Sequence, residues 1–246
     1  MAPIPKVRLF SQDRSNMKKF KLSILPAVQV AMWPILSKVS KRFVLYGGTA
    51  IALRLAHRES VDFDFFTSDN FSSDGLVREM AFLEKSRRLQ ESRNTLTVLM
   101  QVSGFDAPVK LSFFGGLKLG QINPPDEADN GVFVASLEDL LGMKCATVSQ
   151  RAEAKDYIDI HSIISNTDLT LEYGIGAAQA IYGQQYNAIL TLKALSFFGD
   201  GNVMTMPDEI KRDLTNMVKD CNLSNVPKIA SITIIGKNIE LEPSLL

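Results

Sequence analysis

Two short motifs constrain this chain more than any other feature: Tyr46-Gly47-Gly48-Thr49-Ala50, and Val61-Asp62-Phe63-Asp64-Phe65-Phe66. In the first, Phe43-Val44-Leu45-Tyr46 is a short β-prone run, and the two glycines after it permit a tight turn and close approach of a ligand to the backbone. Ala50-Ile51-Ala52-Leu53-Arg54-Leu55 are good helix formers with Ile51 and Leu55 on one face, so a helix should follow with Thr49 as its cap. The unpaired N–H groups and positive dipole end of such a helix start suit a phosphate. A Gly-Gly turn by itself can also simply join a strand to a helix.

The second motif adds charge. Side chains alternate along a strand, so Val61, Phe63 and Phe65 should face the core while Asp62 and Asp64 share the opposite face, about 6.6 Å apart along the chain. Carboxylates so spaced can bracket one or two divalent ions, and two ions about 3.5–4 Å apart can activate an attacking oxygen and stabilise a leaving one. The plain alternative is a solvated strand face carrying two acids.

Thirteen residues separate Gly48 from Asp62. A Gly-Gly turn followed at that distance by Asp62-Phe63-Asp64 resembles the signature of polymerase-β-type nucleotidyltransferases. More narrowly, Gly47-Gly48-Thr49-Ala50, His57-Arg58, Ser60, Asp62, Asp64-Phe65-Phe66, Lys144, Arg151 and Lys155-Asp156-x-x-Asp159 together resemble the AbiEii/AbiGii toxin family, over about residues 40–165. Those are nucleotidyltransferase toxins of abortive-infection toxin–antitoxin systems. The resemblance implies that Gly47, Gly48 and Thr49 hold nucleotide phosphates, that Asp62 and Asp64 bind magnesium, and that Lys144 meets the triphosphate. It implies a nucleoside triphosphate donor, an acceptor such as tRNA or another RNA, and a cognate antitoxin as partner.

One position departs from the pattern. The wider fold places a third carboxylate on a neighbouring strand, and the corresponding run reads Val109-Lys110-Leu111-Ser112-Phe113-Phe114, with Ser112 at the acid's position. Asp106 has the same strand parity but lies about 20 Å away in extended chain. A serine is neutral at pH 7 and accepts protons poorly without a neighbouring base. Three outcomes stay open: two acids suffice, an acid arrives from elsewhere, or the site binds without catalysis.

The downstream segment supplies cations. Ser136-Leu137-Glu138-Asp139 is a capped helix start, and Leu137, Leu140, Leu141 and Val148 follow an apolar helical spacing. Lys144 and Arg151 are seven apart and share a face if that helix is continuous. One of them is expected to meet a phosphate, the other reading being a cation at the border of an amphipathic helix. Lys155 and Asp159 stand at i,i+4, the spacing of an ordinary helix ion pair. Asp156 and Asp159 share a side and are the nearest candidates to replace the acid missing at Ser112. Arg54 and Arg58 could face substrate or solvent, and His57 could carry a proton near neutral pH. His161, among Ile160, Ile163 and Ile164, reads as structural.

Equal counts of 27 acidic and 27 basic residues argue against a globally basic nucleic-acid binder, so an RNA contact needs a local patch. Lys85-Ser86-Arg87-Arg88-Leu89 with Arg93 is such a run, also readable as solvated surface. Cys145 and Cys221 make no disulfide framework or metal cluster, and Cys145 reads as a small core residue. The uncharged stretch from Leu22 to Ser37 contains Pro26, Gln29 and Pro34, which favours a buried, proline-interrupted helix over a signal or membrane segment. A cytoplasmic protein without membrane contact is therefore expected.

The expected class is α+β: a nucleotidyltransferase core with a small mixed sheet and flanking helices, followed by a mainly helical C-terminal region. Residues 1–131 would form the core with an N-terminal helix over 22–40, and 132–246 the helical region, with Pro124-Pro125 near the boundary. Thr95–Ser103 and Val109–Phe114 should pair as a hairpin around Gly104. Helices are expected at 136–151, 153–165, 170–183, 186–197 and 207–220, with a late hairpin in 229–241. Three functional readings compete: a magnesium-dependent nucleotidyltransferase toxin, a nucleotide-binding protein of the same fold with weakened catalysis, and a different Asp-x-Asp enzyme acting on sugar nucleotides. No P-loop is present, because the glycines lack the following Gly-Lys-Ser/Thr.

Overall fold

Strand alternation around the two aspartates sets the centre of the molecule, described by a computed structural model over residues 20–237. The chain opens with a short helix, α1 (Ala27–Met32), between 3-10 turns, so Pro26 and Pro34 interrupt the helical stretch over 22–40 as expected. Then come β1 (Val44–Tyr46), α2 (Gly47–Leu55), β2 (Asp62–Phe66) and α3 (Ser73–Glu79). Strands β3 (Arg87–Ser92), β4 (Thr95–Met100) and β5 (Val109–Phe114) follow, then the short β6 (Gly120–Gln121), β7 (Asp126–Glu127) and β8 (Phe133–Val134). The remainder is mainly helical: α4 (Leu137–Val148), α5 (Ala154–Ser165), α6 (Leu171–Tyr182), α7 (Ala188–Leu195) and α8 (Asp208–Asp220), before β9 (Thr233–Ile234).

The seven-stranded mixed sheet has the order β3-β4-β5-β2-β1-β8-β7. The β4–β5 hairpin forms as expected, with Gly104 at positive φ in its connection. Central β2 pairs antiparallel with β1 and parallel with β5, so Asp62 stands beside Lys110 and Asp64 beside Ser112. Phe63 and Phe65 are fully buried, and Phe65 stacks on Phe113 with ring centroids 5.3 Å apart. Val61 is the exception to the expected inward face: the strand begins at Asp62, and Val61 is 61% exposed.

The C-terminal helices start where local chemistry dictates. Ser136 caps α4 by accepting from the Asp139 N–H, Thr170 caps α6, and Asn187 caps α7. Asp139 reaches back, accepting from the backbone N–H groups of Ile122 and Asn123, which ties the preceding loop to the helix start. Gly142 and Gly174 let α4 and α6 approach closely, since a Cβ at either would lie 2.8 Å from a side-chain atom of the other helix.

Two expectations about organisation need correction. The boundary at residue 131 falls inside the β7–β8 hairpin, and β8 pairs parallel with β1, so the sheet runs across it. One buried cluster likewise joins the sheet residues to Leu141, Ile160 and Ile175 of the helices. The late hairpin is also absent among the described residues: β9 pairs with β6, more than 110 residues upstream, and residues 238–241 lie outside those described.

Candidate active site

Tyr46 ends β1, and Gly47 turns the chain into α2 with φ +73°, a left-handed conformation that glycine adopts without strain. A Cβ on Gly47 would lie 3.0 Å from the Asp64 Oδ2. The diglycine bend and the acidic strand therefore converge. Both face a cleft of about 540 Å³ between the sheet and α4, whose walls include Gly47, Asp62, Asp64, Ser112, Lys144 and Arg151. Lys110, Gln90, Gln150 and Tyr182 are also among its polar lining.

Gly48 and Thr49 stand behind this surface. The space that a Gly48 Cβ would need is taken by the Arg58 guanidinium, whose Nη2 would be 2.5 Å away, and by the Ser60 hydroxyl. Thr49 does not cap α2, which begins at Gly47. Its side chain is 1% exposed, and its hydroxyl bonds to the Asp62 backbone carbonyl and to the Ser60 Oγ. Thr49 thus ties α2 to the start of β2 and has no face in the cleft.

Asp62 and Asp64 share the cleft side of β2. Burial raises the Asp64 pKa, and the negative charge of Asp62 raises it further, against the lowering effect of the Ser112 hydroxyl, Lys110 and Lys144. A carboxylate in this state is short of positive charge. Magnesium is usually held by one or two carboxylates together with substrate phosphates, so the donor set fits that ion. Among the described residues no group of three or more His, Cys, Asp or Glu gathers to hold a metal.

The cations reach the cleft by a route different from the one expected. Helix α4 ends at Val148, so Arg151 lies beyond it and shares no helical face with Lys144. Both are drawn to Asp156: Lys144 through its Nζ, Arg151 through its Nε at 2.8 Å. Lys144 also lies 2.7 Å from the Asp159 Oδ2. Asp159 is gripped from the other side by Arg58, which donates from Nε at 2.7 Å and Nη2 at 2.9 Å, and by the His57 Nε2 at 2.7 Å. This cluster fixes Lys144, itself only 7% exposed, at the rear wall of the cleft.

Asp156 and Asp159 are fully buried and absent from the cleft lining, so they cannot replace the acid missing at Ser112. Burial alone would raise both pKa values. For Asp156 the Arg151 hydrogen bond and the Lys144 charge prevail, and for Asp159 the His57 hydrogen bond, Lys144 and Arg58 do, holding both below the usual carboxylate range.

Lys155 lines the cleft but pairs with Glu153 at 2.8 Å, and the expected i,i+4 pair with Asp159 does not form. Arg54 is committed to the Val134 and Ala135 carbonyls and to Asp126. His57 has no place in the cleft, and His161 meets Asp213 at 3.1 Å. The basic run at 85–93 includes the exposed edge strand β3, where Arg88 pairs with Asp74 and Glu91. Sequence reasoning missed Lys110, whose Nζ lies 2.8 Å from the Asp62 Oδ2. Its signal was available, since it precedes Ser112 by two residues and shares its strand face.

Comparison with known proteins bears on the family of the chain. Residues 35–230 match a family model described as "Nucleotidyl transferase AbiEii toxin, Type IV TA system". An uncharacterized protein of Aquifex aeolicus, aq_aa25, is 37% identical over 120 residues, 48% of this chain and 55% of that protein. The match thus spans about half the length of that relative. Among solved structures, MenT4, a nucleotidyltransferase toxin of Mycobacterium tuberculosis, superposes with a TM-score of 0.53 at 15% identity, covering 80% of this chain and 84% of its own. JHP933 of Helicobacter pylori aligns over 78% of this chain and 89% of its own, at 16% identity with a TM-score of 0.48.

Proposed function

The chain belongs to the AbiEii nucleotidyl transferase toxin family, and from that premise we propose that it transfers a nucleotide from a nucleoside triphosphate to an RNA acceptor such as tRNA, using magnesium. The observation that carries this reading is the convergence of Gly47, Asp62, Asp64 and Lys144 on one open cleft. Asp62 and Asp64 would hold the magnesium, which when bound supplies the charge that gathers phosphate oxygens and activates an acceptor oxygen.

The chain's own residues orient the donor. Gly47 lets the backbone approach the phosphates, Lys144 offers a pre-aligned ammonium at the rear wall, and Arg151, about half exposed, offers a guanidinium at the edge. In the transfer, the acceptor hydroxyl oxygen bonds to the α-phosphorus, and the bond from that phosphorus to the β-bridging oxygen breaks. Pyrophosphate leaves with the electron pair, and the hydroxyl proton passes to water in the open cleft.

Ser112 favours a second reading, a nucleotide-binding protein with weakened catalysis, because it stands in register beside Asp64 without a carboxylate. Incubation with labelled nucleoside triphosphates, magnesium and total RNA separates the two. Label should join RNA and vanish in the Asp62→Ala, Asp64→Ala double variant; nucleotide binding without transfer would select the second reading. Growth arrest on expression, relieved by a neighbouring gene product, would establish the toxin role and its antitoxin. No helix among the described residues is long and apolar enough to cross a membrane.

A further inference from the structure

Lys110 stands apart from the buried Lys144 cluster and meets the carboxylate pair from the neighbouring strand. It stands on β5 directly beside Asp62, on the face it shares with Ser112, and its Nζ lies 2.8 Å from the Asp62 Oδ2. Both side chains are about one third exposed, at 38% and 33%, so the pair is easily exchanged for other partners. It lies in the cleft, not on the outer surface.

The charges in the cleft limit what can bind. Two carboxylates can bracket one or two divalent ions, so the other charges in the cleft decide the number. Among the described residues two carboxylates face the cleft, the number that a single magnesium uses together with substrate phosphates, and an ammonium already rests on one of them. A divalent ion at Asp62 must displace that ammonium, which then remains on its flexible stem beside the ion and its phosphates. The geometry points to a cleft that takes one divalent ion, with Lys110 as the second cation: it covers Asp62 in the free protein and turns to the triphosphate when ion and nucleotide enter.

This inference rests on reading the cleft as a triphosphate site. It predicts opposite effects of one substitution. Lys110→Gln removes a competitor for Asp62, so Mn²⁺ without nucleotide should bind the full chain about two- to fivefold more tightly. The same variant loses a charge-assisted contact, so α,β-methylene nucleoside triphosphates, each titrated separately with Mn²⁺ present, should bind about tenfold more weakly. Lys110→Arg should keep nucleotide affinity close to wild type. Calorimetry gives the affinities, and free Mn²⁺ counted by electron paramagnetic resonance gives the stoichiometry, expected to be one ion per chain in the ternary complex. Two ions per chain, or a Lys110→Gln variant that lacks either shift, would overturn the role of Lys110 and leave the nucleotide site standing. Wild-type protein that binds none of the four nucleotides would overturn both.

Discussion

Lys144 and Asp159, on neighbouring helices α4 and α5, meet at 2.7 Å between Nζ and Oδ2, and Asp159 is wholly shielded from solvent. Arg58 binds the same carboxylate through two hydrogen bonds. The aspartate therefore joins the segment after α2 to the cleft's rear wall, and Lys144 is aimed by it.

Removing that carboxylate leaves the buried Lys144 with Asp156 alone and deprives the half-buried Arg58 of its carboxylate partner. Breaking a buried pair by deleting one member costs about 3–5 kcal/mol, and Asp159→Asn should lose stability in that range in urea denaturation. Its Mn²⁺ affinity should stay near wild type, because Asp159 has no access to the cleft. A metal-binding defect in a variant that remains folded would show that the carboxylate reaches the ion.

The same pair shapes the acid limb of stability. Asp156 and Asp159 have folded pKa values below the unfolded value of about 3.9, so their stabilisation is complete above that pH and is lost as pH falls below it. Asp64 and Asp139 are raised, chiefly by burial, and act in the opposite sense, returning stability as they protonate on the way down from neutral pH. Stability should hold or rise slightly from pH 7 towards pH 4 and then drop. Urea midpoints taken down to pH 2 should fall less steeply in Asp159→Asn than in wild type; parallel curves would deny Asp159 its share.

Much of this site could be read from the chain because its signals are local. Alternation along Asp62-Phe63-Asp64-Phe65 places two acids on one face, and the caps at Ser136 and Thr170 mark helix starts within one turn. Where the partner is distant, local pattern fails. Asp159 binds His57 and Arg58 about a hundred positions upstream, which turns it inward and leaves Lys155 to Glu153. Strand β8 rejoins the sheet beyond Pro124-Pro125, where composition alone indicated a boundary. Thr49 looked like a cap because it precedes the helix-forming run Ala50–Leu55, yet the helix already begins at Gly47 and the hydroxyl serves the Asp62 carbonyl.

The two glycines should fail differently when enlarged. Gly47→Ala forces a Cβ residue into a left-handed conformation at about 1–2 kcal/mol and crowds the Asp64 carboxylate, so it should reduce metal affinity as well as stability. Gly48→Ala instead drives against Arg58, so it should lower stability through the Asp159 cluster and disturb metal binding less. Thermal melts with and without Mn²⁺ distinguish them, since ligand stabilisation should shrink in the first variant and persist in the second. Equal shrinkage in both would place Gly48 at the ion as well.

Ser112 offers a direct test of what the site lacks. Its backbone is in register with Asp64, so Ser112→Asp adds a third carboxylate to the same face of the sheet. Without metal the added charge should destabilise the protein by about 1–3 kcal/mol, because Asp64 is already raised by burial and by Asp62. With magnesium or manganese that loss should be recovered, and the ion should bind at least tenfold more tightly as the charge of the donor set grows. If wild type is a catalytically weakened binder, transfer to RNA should appear or rise in the variant; if two acids suffice, the rate should stay within about threefold. Melting temperature against metal concentration, read beside label incorporation into RNA, separates these outcomes. A variant destabilised equally with and without metal would mean that residue 112 faces no ion at all.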